Sequence, residues 1–168
     1  MTSTEIALLL NNDAEKIKRI GEIIGKKIPA KDNFSNLNEF EKTFIYIDVL
    51  EDNVTNGGFI QFFFNSSGQF AHEIFHAYLA IKAETTIDIL TKAIHLFPEM
   101  PVPKDARIRQ QILMAKDSNI DLWDTLDAEF YKYEDNIVQL TLNYVRENIS
   151  HFDWLNYFSK ISAIFGLK

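Results

Sequence analysis

Residues 55–68 decide how the chain is organised, and they read Thr-Asn-Gly-Gly-Phe-Ile-Gln-Phe-Phe-Phe-Asn-Ser-Ser-Gly. This stretch holds three of the six glycines and four of the fourteen phenylalanines. Gly57 and Gly58 tolerate positive φ, so the pair predicts a sharp turn. Phe59, Phe62 and Phe63 recur at helical spacing after it, which predicts a short buried helix that ends at the polar break Asn-Ser-Ser-Gly.

Polar side chains flank this turn on both sides. We expect Asp48, Glu51 or Gln61 to accept hydrogen bonds from backbone groups between Asn56 and Phe59, and Gly57 or Gly58 to adopt positive φ. The alternative is a pair of carboxylates that act as acid and base, which requires environments that separate their pKa values, and no spacing in this stretch fixes such a geometry. The candidate structural or pocket motif comprises Asp48, Glu51, Asn56, Gly57, Gly58, Gln61 and Asn65.

Outside the turn, apolar residues recur at helical spacing along nearly the whole chain. In the helix predicted after the prolines, Ile108, Ile112 and Leu113 are expected to face inward. No alternating run predicts a β-sheet. The sequence therefore predicts an all-α fold, a single compact domain over residues 1–168 with about seven to nine helices. Helices are expected near 13–27, 36–52, 70–81, 85–97, 105–116, 118–133 and 136–148, and an aromatic tail from Trp154 to Phe165 should dock on the core or on a second copy.

Composition narrows the class of protein. The chain has 168 residues and no cysteine, which suits one domain stabilised by packing and excludes a thiolate metal site. No apolar run reaches membrane-spanning length, and the first residues lack a basic leader. We expect a cytoplasmic protein that has no membrane partner and needs no cofactor.

Charge is concentrated in one segment. The formal net charge is −7, and residues 117–135 hold seven acids against Lys132, a net −6. On a helix, Asp117, Asp121, Asp124 and Asp127 fall within a single arc, and a cap at Ser118 would leave Asp117 just outside the helix and shorten this row. Such a surface attracts basic proteins and repels nucleic acid. The predicted partner-binding acidic face comprises Asp117, Asp121, Asp124, Asp127, Glu129, Glu134 and Asp135.

A possible metal motif lies just after the turn. His72, Glu73 and His76 form the HExxH pattern, in which two histidines of one helical face hold zinc beside a glutamate base. A third ligand is needed, and the downstream Glu84, His95 and Glu99 sit in no recognisable second motif. We therefore expect no bound zinc here, with a zinc-dependent hydrolase as the less favoured alternative.

The sequence resembles the bacterial DNA-mimic protein family. The specific part is the spacing Asn-Gly-Gly-Phe, Gln, Phe-Asn-Ser-Ser-Gly, and the resemblance covers about residues 37–148. It implies a cytoplasmic, dimeric protein that binds a basic DNA-binding protein by occupying the DNA-binding surface of a transcription factor. An immunity or antitoxin-like inhibitor of a nuclease is the alternative within the same class of acidic protein-binding modules.

Overall fold

The computed structural model describes residues 1–115 and 120–152, and within these ranges it contains helices and no strand. Two short 3₁₀ helices, Ser66–Phe70 and Ile149–His151, accompany the α-helices. The α-helices are α1 (Ser3–Leu8), α2 (Asp13–Gly25), α3 (Glu39–Phe64), α4 (Ala71–Ile81), α5 (Glu84–His95), α6 (Ala106–Leu113), α7 (Ile120–Phe130) and α8 (Ile137–Glu147).

Helix α3 is the central element, and it packs against α2, α4, α6, α7 and α8. It begins with a capping box, in which Asn38 accepts from the amide of Glu41 and the Glu41 side chain accepts from the amide of Asn38. Its first part joins a core cluster with α1, α2 and α8. Its second part joins a larger cluster with α4, α5, α6 and α7. Both halves of the core are therefore built on one helix.

The all-α prediction is confirmed, since eight α-helices form one domain in the described part of the chain. None of the described helices is both long and apolar enough to cross a membrane. Helix α1 was not predicted, and the helix expected near 36–52 continues as α3 through the glycine pair to Phe64. The aromatic tail from Trp154 and the predicted cap at Ser118 lie outside the described residues.

The predicted inward face of α6 is wrong at one position. Ile108 is 47% exposed, whereas Arg109 is fully buried. Arg109 shares its helical face with Ile112 and Leu113, which lie three and four residues further on. A buried guanidinium needs several hydrogen-bond acceptors. Backbone carbonyls at the end of α3 accept from Arg109, which explains why α6 turns this face inward.

Candidate functional site

The glycine pair breaks α3 without ending it. Gly57 is extended, with φ −169°. Gly58 has φ 72° and ψ −178°, a backbone conformation that residues other than glycine rarely adopt. Near the break, the Tyr131 hydroxyl donates to the Val54 carbonyl at 2.6 Å. After the break a short helical stretch, residues 59–64, begins with its first amide unpaired within the helix. We refer to residues 59–64 as the central segment.

Asp127 of α7 binds the start of the central segment. Its Oδ1 accepts a hydrogen bond from the Phe59 amide at 2.8 Å, and a Cβ added to Gly58 would lie 2.0 Å from its Oδ2. Position 58 therefore needs glycine for its backbone angle and for the approach of this carboxylate. Burial raises the pKa of Asp127, the Phe59 amide opposes that shift, and the charge of Asp124 adds to it. The expectation that Asp48, Glu51 or Gln61 would bind this turn is wrong, because Asp127 arrives from a distant helix.

Arg109 binds the other end of the central segment. Its Nε donates to the Phe63 carbonyl at 2.8 Å, and one terminal nitrogen donates to the Asn65 carbonyl at 2.7 Å. The other terminal nitrogen donates to the carbonyls of Pro103 and Lys104, both at 2.8 Å. Burial lowers the pKa of Arg109, but a guanidinium stays charged at neutral pH. Within the described residues, its four acceptors are all backbone carbonyls at the ends of neighbouring elements.

The central segment thus buries one aromatic face, and it is capped at both ends by charges of the favourable sign. Phe59, Phe62 and Phe63 are fully buried. A carboxylate lies at its N-terminal end and a guanidinium at its C-terminal end, which matches the direction of the helix dipole. Gly68 completes the arrangement, since a Cβ there would lie 2.8 Å from Arg109 Nε. The Asn-Gly-Gly-Phe and Asn-Ser-Ser-Gly breaks therefore frame a structural unit.

The predicted pocket motif is only partly brought together. Asp48, Gln61 and Asn65 line one polar cavity of about 390 Å³. Glu51 does not line it and accepts from the Tyr78 hydroxyl at 2.7 Å. Asn56 also lies outside this cavity and donates to the Asp52 carbonyl at 2.7 Å. The other residues that line the cavity are Lys31, Asp32, Val49, Asp52, Asn53, Ser66 and Ser67.

The HExxH residues are engaged in other contacts. His72 Nε2 accepts from the Val102 amide at 3.0 Å, and Glu73 binds Lys104. His76 is exposed on α4. Across residues 1–115 and 120–152, no group of three or more His, Asp or Glu side chains is placed to hold a metal ion. The geometry adds no support to the zinc-hydrolase alternative.

The predicted acidic face divides into two sets, apart from Asp117, which lies outside the described residues. Asp127 caps the central segment, and Glu129 pairs with Lys92 at 3.1 Å. Asp135 accepts from the amide and hydroxyl of Thr86, at 2.8 and 2.9 Å, in the first turn of α5. These three acids bind other parts of the protein and are only partly exposed.

The remaining acids, Asp121, Asp124 and Glu134, are exposed. Within the described residues their side chains form no hydrogen bond or ion pair. We refer to these three as the exposed acidic set. Its members are available to a partner, whereas Asp127, Glu129 and Asp135 are already engaged.

Sequence reasoning missed the two capping roles. Asp127 was assigned to a partner surface, and Arg109 was not singled out at all. The helical register of Arg109 with Ile112 and Leu113 was the available signal for its burial. No local pattern identifies Asp127, because its hydrogen bond to Phe59 joins residues 68 positions apart.

Known proteins were compared with this chain at three levels: curated proteins, solved structures and family models. No curated protein and no solved structure gave a match. A family model described as DMP19-like protein matches residues 35–148, which include the central segment, both capping residues and the exposed acidic set. Because this match covers more than half of the 168 residues, the chain belongs to the DMP19-like protein family.

Proposed function

We propose that this protein is an acidic protein-binding module that acts as a DNA mimic, occupying the DNA-binding surface of a transcription factor. Membership of the DMP19-like family carries the proposal, since the same stretch of sequence resembles the DNA-mimic proteins. The proposal includes a cytoplasmic location and a homodimer, both implied by that resemblance. It requires neither a cofactor nor direct contact with nucleic acid.

The exposed acidic set gives the proposal a physical basis. Asp121 and Asp124 lie three residues apart on α7, about 4.5 Å along the helix axis. Duplex DNA carries one phosphate charge per about 1.7 Å of axis, so these carboxylates replace only a short part of a phosphate track. A carboxylate that forms no ion pair within its own protein is free to attract a basic surface electrostatically. Salt screens this attraction.

Competition with DNA tests this proposal. The tagged protein would capture a DNA-binding protein from a lysate of its native cells at low salt, and the captured protein would be purified. We expect a duplex that carries its binding site to compete with this protein for it, and we expect added salt to weaken the complex. A ternary complex that contains the duplex and both proteins would contradict the proposal. Capture of a nuclease whose DNA cleavage is blocked would support the inhibitor alternative instead.

A further inference from the structure

A second cavity lies between α2, α3 and α8 and has a different chemistry from the polar cavity. Its volume is about 170 Å³, enough for a benzene-sized molecule. Five apolar side chains line it. They are Ile17 of α2, Phe44 and Ile47 of α3, and Ile137 and Val138 of α8. This part of the cavity suits a short aliphatic or small aromatic group.

Three polar side chains, Asp48, Glu51 and Thr141, also line the cavity. Thr141 is 3% exposed, and its Oγ1 has no hydrogen-bond partner among the described residues. A buried hydroxyl without a partner is costly, since it has lost its water without replacing it. This orphan hydroxyl is the observation that points to a ligand or to bound solvent in the cavity.

The two carboxylates lack a cation. Neither Asp48 nor Glu51 forms an ion pair with a basic side chain in the described part of the protein. Desolvation by the surrounding helices raises the pKa of both, although the Asp48 residue is itself exposed, and nearby carboxylates raise it further, Asp52 for Asp48 and Asp48 for Glu51. The Tyr78 hydroxyl opposes the shift at Glu51. The cavity therefore joins an apolar wall to negative charge that no basic side chain of residues 1–115 and 120–152 pairs with.

We propose that this cavity binds a primary alkylammonium group, with its aliphatic chain on the apolar wall and its nitrogen near Asp48, Glu51 and Thr141. An ammonium carries three donors and no acceptor, which matches three oxygen-bearing side chains. Lysine-like groups bury their stems against apolar surface while the nitrogen keeps polar partners. The ligand is either a free amine or a lysine side chain of another protein. The inference does not rest on the proposed function.

Titration with n-butylammonium, followed by amide chemical shifts and calorimetry, tests the proposal. We expect saturable binding with shifts concentrated on α2, α3 and α8. n-Butanol and butyrate have the same aliphatic chain without the cation, and we expect them to bind at least tenfold more weakly. Equal binding of either compound, or no saturable binding of the ammonium, would overturn the proposal.

Nα-acetyl-lysine methylamide separates the two sources of the group. Binding at least as tight as that of n-butylammonium would indicate that a protein side chain is the occupant. Binding of n-butylammonium alone would indicate that a free amine is the occupant. Both results support the proposal that the cavity binds a primary alkylammonium group. Binding of neither compound would again overturn it.

Variants locate the site. Thr141→Val keeps the shape and removes the hydroxyl, so we expect roughly tenfold weaker binding of n-butylammonium. Asp48→Asn changes an exposed residue of the lining, and we expect it to weaken n-butylammonium binding by a similar factor. This variant tests the site if Thr141→Val folds poorly. Glu147→Gln is the matched control, because it removes one negative charge at an exposed position of α8 that does not line the cavity. Unchanged binding in both Thr141→Val and Asp48→Asn would refute the assignment.

Discussion

The central segment and the exposed acidic set both depend on charged residues, but they use them in opposite ways. At the central segment, Arg109 is buried and Asp127 is half-buried, and each binds backbone groups. In the exposed acidic set, Asp121, Asp124 and Glu134 remain in solvent. The −6 charge of residues 117–135 therefore overstates the charge available to a partner. Substitutions at the first group should change stability, and substitutions in the second should change association.

The largest expected effect is at Arg109. Arg109→Met fills similar space but removes the donors to the buried Phe63 carbonyl and to three partly buried carbonyls, those of Asn65, Pro103 and Lys104. We expect it to lower the free energy of unfolding by about 3 to 5 kcal/mol, measured by urea denaturation. Arg107→Met, at an exposed position of the same helix, is the control and should change it by less than about 0.5 kcal/mol. A similar loss in the free energy of unfolding for both variants would contradict the claim that the buried contacts of Arg109 stabilise the fold.

Gly58 should come next. Gly58→Ala places a side chain at φ 72° and brings its Cβ to 2.0 Å from Asp127 Oδ2. We expect a loss of about 2 to 4 kcal/mol from backbone strain and the collision together. Combining it with Asp127→Ala should cost less than the sum of the two single changes, because the collision is removed. Gly25→Ala, where an added Cβ meets nothing within 4 Å, is the control and should be neutral or slightly stabilising. If the effects of Gly58→Ala and Asp127→Ala were strictly additive, the close approach of Asp127 to position 58 would be contradicted.

Asp127 should show a smaller and pH-dependent effect. Asp127→Ala removes the cap of the central segment, and we expect a loss of about 1 to 2 kcal/mol. Asp127→Asn keeps an acceptor oxygen without the charge. Because the folded-state pKa of Asp127 is raised, its ionisation costs stability as pH rises from its unfolded value through its folded value. The asparagine variant should therefore gain stability relative to the wild type between about pH 4 and pH 7. Thermal melts at both pH values check this, and the opposite trend would contradict it.

The smallest effect on stability should come from the exposed acidic set. Replacing Asp121 and Asp124 by asparagine and Glu134 by glutamine removes three charges and breaks no intramolecular contact in the described residues. We expect the free energy of unfolding to change by less than about 0.5 kcal/mol. A loss comparable to that of Asp127→Ala would show that these acids also hold the fold together and would remove the distinction between the two regions.

The sequence predicts the helical class and most helices because apolar periodicity is a local signal. Phe59, Phe62 and Phe63 are buried as their spacing predicts, and Gly58 has the positive φ expected of one member of the pair. The expected partners of the turn, nearby side chains such as Asp48, are wrong, because Asp127 binds the Phe59 amide instead. The contacts that cap the central segment join residues 68 and 46 positions apart. Neither separation is visible in a periodic pattern.

The acidic stretch illustrates the same limit in the candidate site. Charge and spacing placed Asp121, Asp124 and Asp127 on one arc, but they did not distinguish an acid that binds a distant amide from one that faces solvent. That distinction depends on what packs against α7, and Asp127 meets Gly58 there. The roles of these acids in binding a partner remain a prediction.

The association rate of the captured partner protein tests the central claim most directly. Stopped-flow mixing at low salt would compare the wild type, the variant with the exposed acidic set neutralised, and a control with Glu15, Glu99 and Glu147 changed to glutamine. The control acids are also exposed, and their substitution gives the same change in net charge. We predict roughly tenfold slower association for the first variant and a much smaller change for the control, because steering depends on where the charge lies. Equal rates for the two variants would contradict the claim that Asp121, Asp124 and Glu134 meet the partner.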